Sequence, residues 1–127
     1  MNTQVTPVLA LAIDEEPPAG FMLLPKLARW ECDKYTRWVK SQQCCGCGNP
    51  ADDPHHIIGH GMGGMGTKPH DLFTIPLCRD CHNALHRDAK SWEAEHGSQV
   101  DLLFHFLNRA LGIGAITVGR LKGAKNA

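Results

Sequence analysis

The sequence predicts a small α+β domain organised around a metal-binding cysteine knuckle, with flanking helices. Three observations predict it. Cys44/Cys47 and Cys78/Cys81 form two C-x-x-C pairs with thirty residues between them, the spacing of two knuckles closing on one ion. "HHII" (55–58) and "LFTIPLC" (72–78) read as short extended pieces on either side of a glycine-rich loop. "CHNALH" sets His82 and His86 at i and i+4, on one face of a helix.

The 127 residues suffice for one domain, and with 43% hydrophobic and only 20% charged residues the bulk of the chain should fold. A formal net charge of zero leaves no global electrostatic footprint for nucleic acid. The charge is uneven, however. Asp14, Glu15 and Glu16 lie in a first segment, 1–20, without Lys or Arg, and the rest carries 13 basic against 10 acidic residues. That permits DNA binding without demanding it. No run approaches the ~20 apolar residues of a membrane span. The expected organisation is an N-terminal arm (1–20), a main domain (21–116, motif core 44–86) and a basic tail (117–127).

Along the chain, "VTPVLALAI" (5–13) reads as a short strand or docking arm. It lacks a basic n-region and runs into "DEEPP", unlike a signal sequence. "PPAG" (17–20) is a turn. Residues 25–41 read as a helix opened by Pro25, with Leu27, Trp30, Lys34, Tyr35 and Trp38 at helical spacing. Its aromatics are expected in the core rather than stacked on bases, and Lys34, Arg37 and Lys40 on its exposed face. "QQCCGCGNPADDP" is too rich in Cys, Gly, Asn and Pro for regular structure, and Pro76 confines the second strand to an edge or irregular position. Helices are expected from about Asp80 to Lys90, and from Trp92 or Gln99 to Leu111. The second is built on Val100, Leu103, Phe104, Leu107 and Leu111. The chain closes with a strand-like piece and its basic tail. There is no internal repeat.

Two C-x-x-C pairs without a signal peptide favour a four-thiolate structural zinc site in a reducing cytoplasm over disulfides. Gly46 and Gly48 suit the tight turns of such a knuckle. Cys44 is preferred to Cys45 as ligand because C-x-C spacing is less usual, and Cys32 is expected as a small buried residue. Adjacent residues of a strand face opposite ways, so His55 and His56 cannot easily be twin ligands of one ion. One can join His82 and His86 around a divalent metal, and the other can take a proton from water. His60, His96 and His105 are expected to be structural or exposed.

The order C-x-x-C, "HHI", glycine-rich loop, "IPLCRDCHNALH" over residues 44–86 resembles the HNH nuclease family, of the ββα-metal fold. "HHIIGHGMGGMG" and "IPLC" resemble its small phage and prophage members, a group that includes a nuclease working with the recombinase RecA. The resemblance implies a DNA endonuclease with His55, His82 and His86 on a catalytic Mg²⁺ or other divalent ion and His56 as the base. Zn²⁺ is implied on Cys44, Cys47, Cys78 and Cys81, and 5′-phosphate and 3′-hydroxyl products in the bacterial host cytoplasm. DNA is the implied partner, with a RecA-type filament as a further one and no membrane. Lys68, Arg79 and Arg87 are candidates for phosphate contacts.

One departure stands out. The family's middle Asn precedes the "LC" of the second knuckle, but "KPHDLFTIPLC" contains none. Asp71 or His70 can substitute, since either can bond a backbone group or the base imidazole. Asn83 sits on the helix and is not assigned the role. The eight residues "GHGMGGMG" (59–66) contain five glycines but no phosphate-cradle spacing. They read first as a connector between strands and second as a loop admitting a DNA backbone. Two other functions compete with the nuclease: a non-catalytic zinc-knuckle binder of DNA or a recombinase, and a thiol redox sensor.

Overall fold

The structure is a computed structural model that describes residues 8–10, 29–60 and 68–119. The turn at 17–20, Pro25, Leu27, most of the glycine loop (61–67) and the tail from 120 onward lie outside the described residues. The architecture is α+β. In chain order it runs β1 (Val8–Ala10), α1 (Asp33–Val39), β2 (Asp53–His56), β3 (Thr74–Leu77), α2 (Arg79–Arg87), α3 (Ala89–His96), α4 (Gln99–Gly112) and β4 (Thr117–Gly119). Among the described residues no helix is long and apolar enough to cross a membrane.

The functional residues are carried by the antiparallel pair β2–β3, with His55 opposite Ile75 and His56 opposite Thr74. Pro54 lies opposite Pro76. In this register the ladder bond from Ile57 N–H to Phe73 O (3.2 Å) makes the Pro54–Pro76 pair one whose nitrogens face away from the partner strand. Proline's missing N–H therefore costs nothing there, and both strands are edges. The outward carbonyl of Pro76 accepts instead from Cys45 N–H of the first knuckle (2.9 Å). A second, parallel pair joins β1 to β4.

The core fills the space between this pair and the helices, with Tyr35, Val39, Ile75, Leu77, Leu85, Trp92, Leu103, Phe106, Ala110 and Ile116 all buried. Trp38 stacks between Tyr35 and Phe106, at centroid separations of 5.9 and 5.5 Å. The aromatics of α1 are thus core residues. Lys34, Arg37 and Lys40 are exposed.

Several element boundaries depart from the sequence expectation. Among the described residues, the helix predicted over 25–41 spans Asp33–Val39. Residues 29–32 are not helical because residues 70 and 71 claim their backbone. Trp30 O accepts from Asp71 N–H, Trp30 N–H donates to His70 Nδ1 (both 2.9 Å) and Cys32 N–H donates to Asp71 Oδ2 (2.8 Å). Cys32 is half-buried rather than buried. The helix predicted to run through to Lys90 breaks at Asp88, whose extended backbone and side chain cap α3 through Ser91 N–H at 3.2 Å.

The buried face of α4 is also different. Gln99, Leu103, Phe106 and Ala110 point inward, whereas Val100, Phe104 and Leu111 are 45%, 70% and 51% exposed. The apolar stripe and the core stripe share Leu103 and, at the edge of the core, the half-buried Leu107. The rotation of this helix is set by Gln99, whose amide is anchored to β2 and its continuation.

Candidate metal centres

Cys44, Cys47, Cys78 and Cys81 bring their sulfurs within 4.8 Å of one another. This set can hold a metal such as zinc. All six cysteines are free thiols, and Cys47 and Cys78 stand 3.6 Å apart. That is too far for a disulfide, but close to the ~3.8 Å sulfur separation of a tetrahedron with ~2.3 Å metal bonds. Cys78 is the N-cap of α2, and its sulfur accepts from Cys81 N–H at 3.4 Å. The positive end of the helix thus faces the cluster. Cys45, the rejected alternative, lies outside the set.

Burial opposes ionisation of Cys44, but the N–H groups of Cys78, Cys47 and Gly46 outweigh it and bring this thiol down to about 7. Burial pushes Cys81 up to about 12, and burial likewise raises Cys78. Burial thus opposes thiolate formation at Cys78 and Cys81. A divalent ion removes that restraint.

Gly46 is held to its size by the knuckle. A Cβ there would lie 2.7 Å from Trp92 Cζ2 and 3.0 Å from Cys81 Sγ. Trp92 is buried and stacked on His96 (4.5 Å), so neither neighbour can yield cheaply. Gly46→Ala is expected to destabilise the fold by about 1–3 kcal/mol. Denaturant unfolding of the zinc-loaded protein measures it, and an unchanged midpoint would contradict the packing.

The second cluster also draws on α2. His55, His82 and His86 bring one ring nitrogen each within 4.8 Å of one another, with centroids 4.8–5.2 Å apart. His82 and His86 meet because a helix repeats its face every four residues. Their Nε2 atoms are 3.2 Å apart, near the ~3.3 Å expected for two imidazoles on one tetrahedral ion at ~2.0 Å.

Asp53 Oδ2 accepts from His82 Nδ1 at 2.9 Å, which leaves His82 Nε2 as a bare lone pair. Arg79 and then His82 hold the Asp53 carboxyl below its usual range. Gln99 Oε1 accepts from His55 Nε2 at 2.9 Å, and His55 Nδ1 is buried without any partner. A buried polar atom left unpaired costs free energy, and it belongs to a ring that packs against both His82 and His86. Three convergent imidazoles, one of them with an orphaned buried nitrogen, fit a divalent cation. Neutral imidazoles suit Zn²⁺, Ni²⁺ or Co²⁺ better than Mg²⁺, which prefers oxygen donors.

His55 is also hard to protonate. Burial is the largest cause, and its pKa falls from 6.5 to about 4. The folded chain therefore binds fewer protons there than the unfolded chain between those values, so stability rises with pH across the window. Without added divalent ion, about 2 kcal/mol should be lost between pH 7 and pH 5. His55→Gln should flatten that slope in denaturant titrations, and an equal slope in both proteins would refute the assignment.

His56, one residue on, faces the other way. Its Nε2 donates to Asp71 Oδ1 at 2.8 Å. Arg29 Nη2 pairs with the same oxygen, and Cys32 N–H donates to Asp71 Oδ2. Burial works against the Asp71 charge, but His56, Cys32 N–H and Arg29 more than offset it and keep its carboxyl low. With its proton on Nε2, His56 presents Nδ1 as the basic atom. Of the two residues the sequence offered as a partner for this imidazole, Asp71 is the one that bonds it. His70 bonds Trp30 N–H, and Asn83 is exposed.

Lys68 and Arg87 are exposed. The Arg79 guanidinium is engaged with both Asp53 oxygens, at 2.9 and 3.2 Å. Sequence reasoning missed Asp53, Gln99 and Arg29. Asp53 left a signal, because it lies two residues before His55 and so on the same strand face. The other two left none.

The fold and the two clusters define a small α+β protein with two metal-type ligand sets. The chain belongs to the family described as "Protein of unknown function (DUF968)", which it matches over residues 1–114. It is similar to the uncharacterized protein YdfU of Escherichia coli (strain K12), with 58% identity over 115 residues, covering 91% of this chain and 33% of that protein. The chain thus spans about a third of the length of the curated relative it matches. No solved structure matches it.

Proposed function

We propose that this chain is a metal-dependent endonuclease of the HNH type, with a ββα-metal core, that hydrolyses DNA phosphodiester bonds in phage or prophage DNA processing. The observation that carries the reading is the division of labour at two adjacent residues. His55 carries an orphaned, buried nitrogen and brings a ring nitrogen within 4.8 Å of those of His82 and His86, while His56 is braced by Asp71 with its Nδ1 uncommitted.

When bound, a divalent ion on the three imidazoles would supply Lewis-acid stabilisation of charge developing on the phosphate. The rest falls to the chain. His56 Nδ1 takes a proton from the attacking water, and Asp71 stabilises the imidazolium that results. Arg29 holds the Asp71 carboxylate ionised and in place. Exposed Lys68 and Arg87 can meet the DNA backbone. The four thiols bind structural zinc and seat α2, and the reducing host cytoplasm keeps them available.

Cleavage of single-stranded, duplex and RecA-coated DNA by the zinc-loaded protein, in Mg²⁺, Mn²⁺, Co²⁺ or Ni²⁺, tests this. Cleavage that chelator abolishes supports it. A wild-type protein that binds DNA or the RecA filament and cuts none of these substrates would instead be a zinc-knuckle binding protein.

A further inference from the structure

The bonds that orient His55 come from a residue 44 positions away. Gln99 opens α4, is 1% exposed, and has every face of its amide engaged. Its Oε1 accepts from His55 Nε2 and from Ile58 N–H, both at 2.9 Å. Its Nε2 donates to Ile58 O at 3.1 Å and to Glu93 Oε2 at 3.2 Å. The same Glu93 oxygen accepts from Gln99 backbone N–H at 2.8 Å.

A side-chain amide can ordinarily sit either way round. This one cannot. A half-turn would set its NH₂ against the Ile58 N–H, and its oxygen against both the Ile58 carbonyl and the Glu93 carboxylate. Each such contact leaves a buried polar group unpaired.

We infer that Gln99 is a positioning residue for the three-histidine centre: the Ile58 peptide and Glu93 lock its amide so that only an acceptor faces His55. His55 must then carry its proton on Nε2 and direct the Nδ1 lone pair at His82 and His86. Asp53 does the same for His82 from the opposite ring nitrogen. Two of the three imidazoles are therefore set in their ligating tautomer by the protein before any ion arrives. The consequence for metal binding rests on the proposed three-histidine site, but the tautomer itself does not.

The experiment uses the full chain with its cysteine site filled by zinc. Nitrogen-15 NMR of wild type at pH 7.5, without a second divalent ion, should show His55 as the Nε2–H tautomer. Finding Nδ1–H would overturn the inference, and this measurement needs no variant to fold. Co²⁺ is then titrated into the second site and followed by its visible absorption.

Gln99→Leu should mix the His55 tautomers and weaken Co²⁺ binding by roughly 10–100-fold. Unchanged tautomer and Co²⁺ affinity in Gln99→Leu would overturn the inference. If wild type shows the Nε2–H tautomer but takes no second equivalent of Co²⁺, the metal-site reading fails while the role of Gln99 in setting the tautomer stands.

Discussion

Cys78→Ser is expected to abolish cooperative folding, because what it puts at stake is comparable to the whole stability of a domain of this size. Cys78 is both a member of the four-sulfur set and the N-cap from which α2 springs. A structural zinc site contributes roughly 10–16 kcal/mol of apparent binding free energy, against a total stability of about 5–15 kcal/mol for a typical domain. Serine keeps the size of the side chain but is not a thiolate donor. The variant should therefore lose bound zinc, its sharp thermal transition and, with α2 unseated, the meeting of His82 and His86 with His55. Cys45→Ser is the control. Cys45 lies outside the set, and burial followed by the Cys44 charge pushes its thiol up to about 11, so the variant should retain its zinc. Zinc analysis with a melting curve separates the two variants. Near-zero zinc in wild type together with an unchanged melt in Cys78→Ser would dispose of the knuckle.

His56→Ala is expected to lower DNA cleavage by about 10²–10⁴-fold, the usual worth of a positioned general base, while leaving both metal contents intact. His56 belongs to neither ligand set. Its removal leaves Asp71 still paired with Arg29 and the Cys32 N–H, so the melting temperature should fall only slightly. The informative comparison is His82→Ala, which should lose activity and second-site metal together. Cleavage by His56→Ala at the wild-type rate would remove the base from the proposal without touching the metal centre.

The ligands of both clusters were legible because their spacing is a short-range signal. A C-x-x-C turn, an i, i+4 pair on a helix and the alternation of a strand each follow from local backbone geometry. The pairing of Asp71 with His56 was legible only as one of two options, since His70 offered the same chemistry. What the spacing could not show is what holds the histidines. Gln99 lies 44 residues from His55 and Arg29 lies 42 from Asp71. Nothing local marks either one.

The helix errors have a similar origin. Residues 29–32 have helical periodicity but give their backbone groups to residues 70 and 71. Asp88 reads as one more helical residue until its carboxylate is seen capping α3. In α4, counting apolar residues selects the Val100, Phe104 and Leu111 side. The helix is instead turned so that the polar Gln99 goes inward, because its amide satisfies His55, the Ile58 peptide and Glu93 at once.

By itself the sequence determined which atoms can bind metal: four thiols in two turns, two imidazoles on one helix face and one more on a strand. It also determined that His55 and His56 take different sides, since a strand alternates whatever surrounds it. Only the tertiary structure decided the tautomers of those rings. A tautomer is chosen by the partner of the other nitrogen, and those partners, Gln99, Asp53 and Asp71, reach the histidines across 44, 29 and 15 residues of chain.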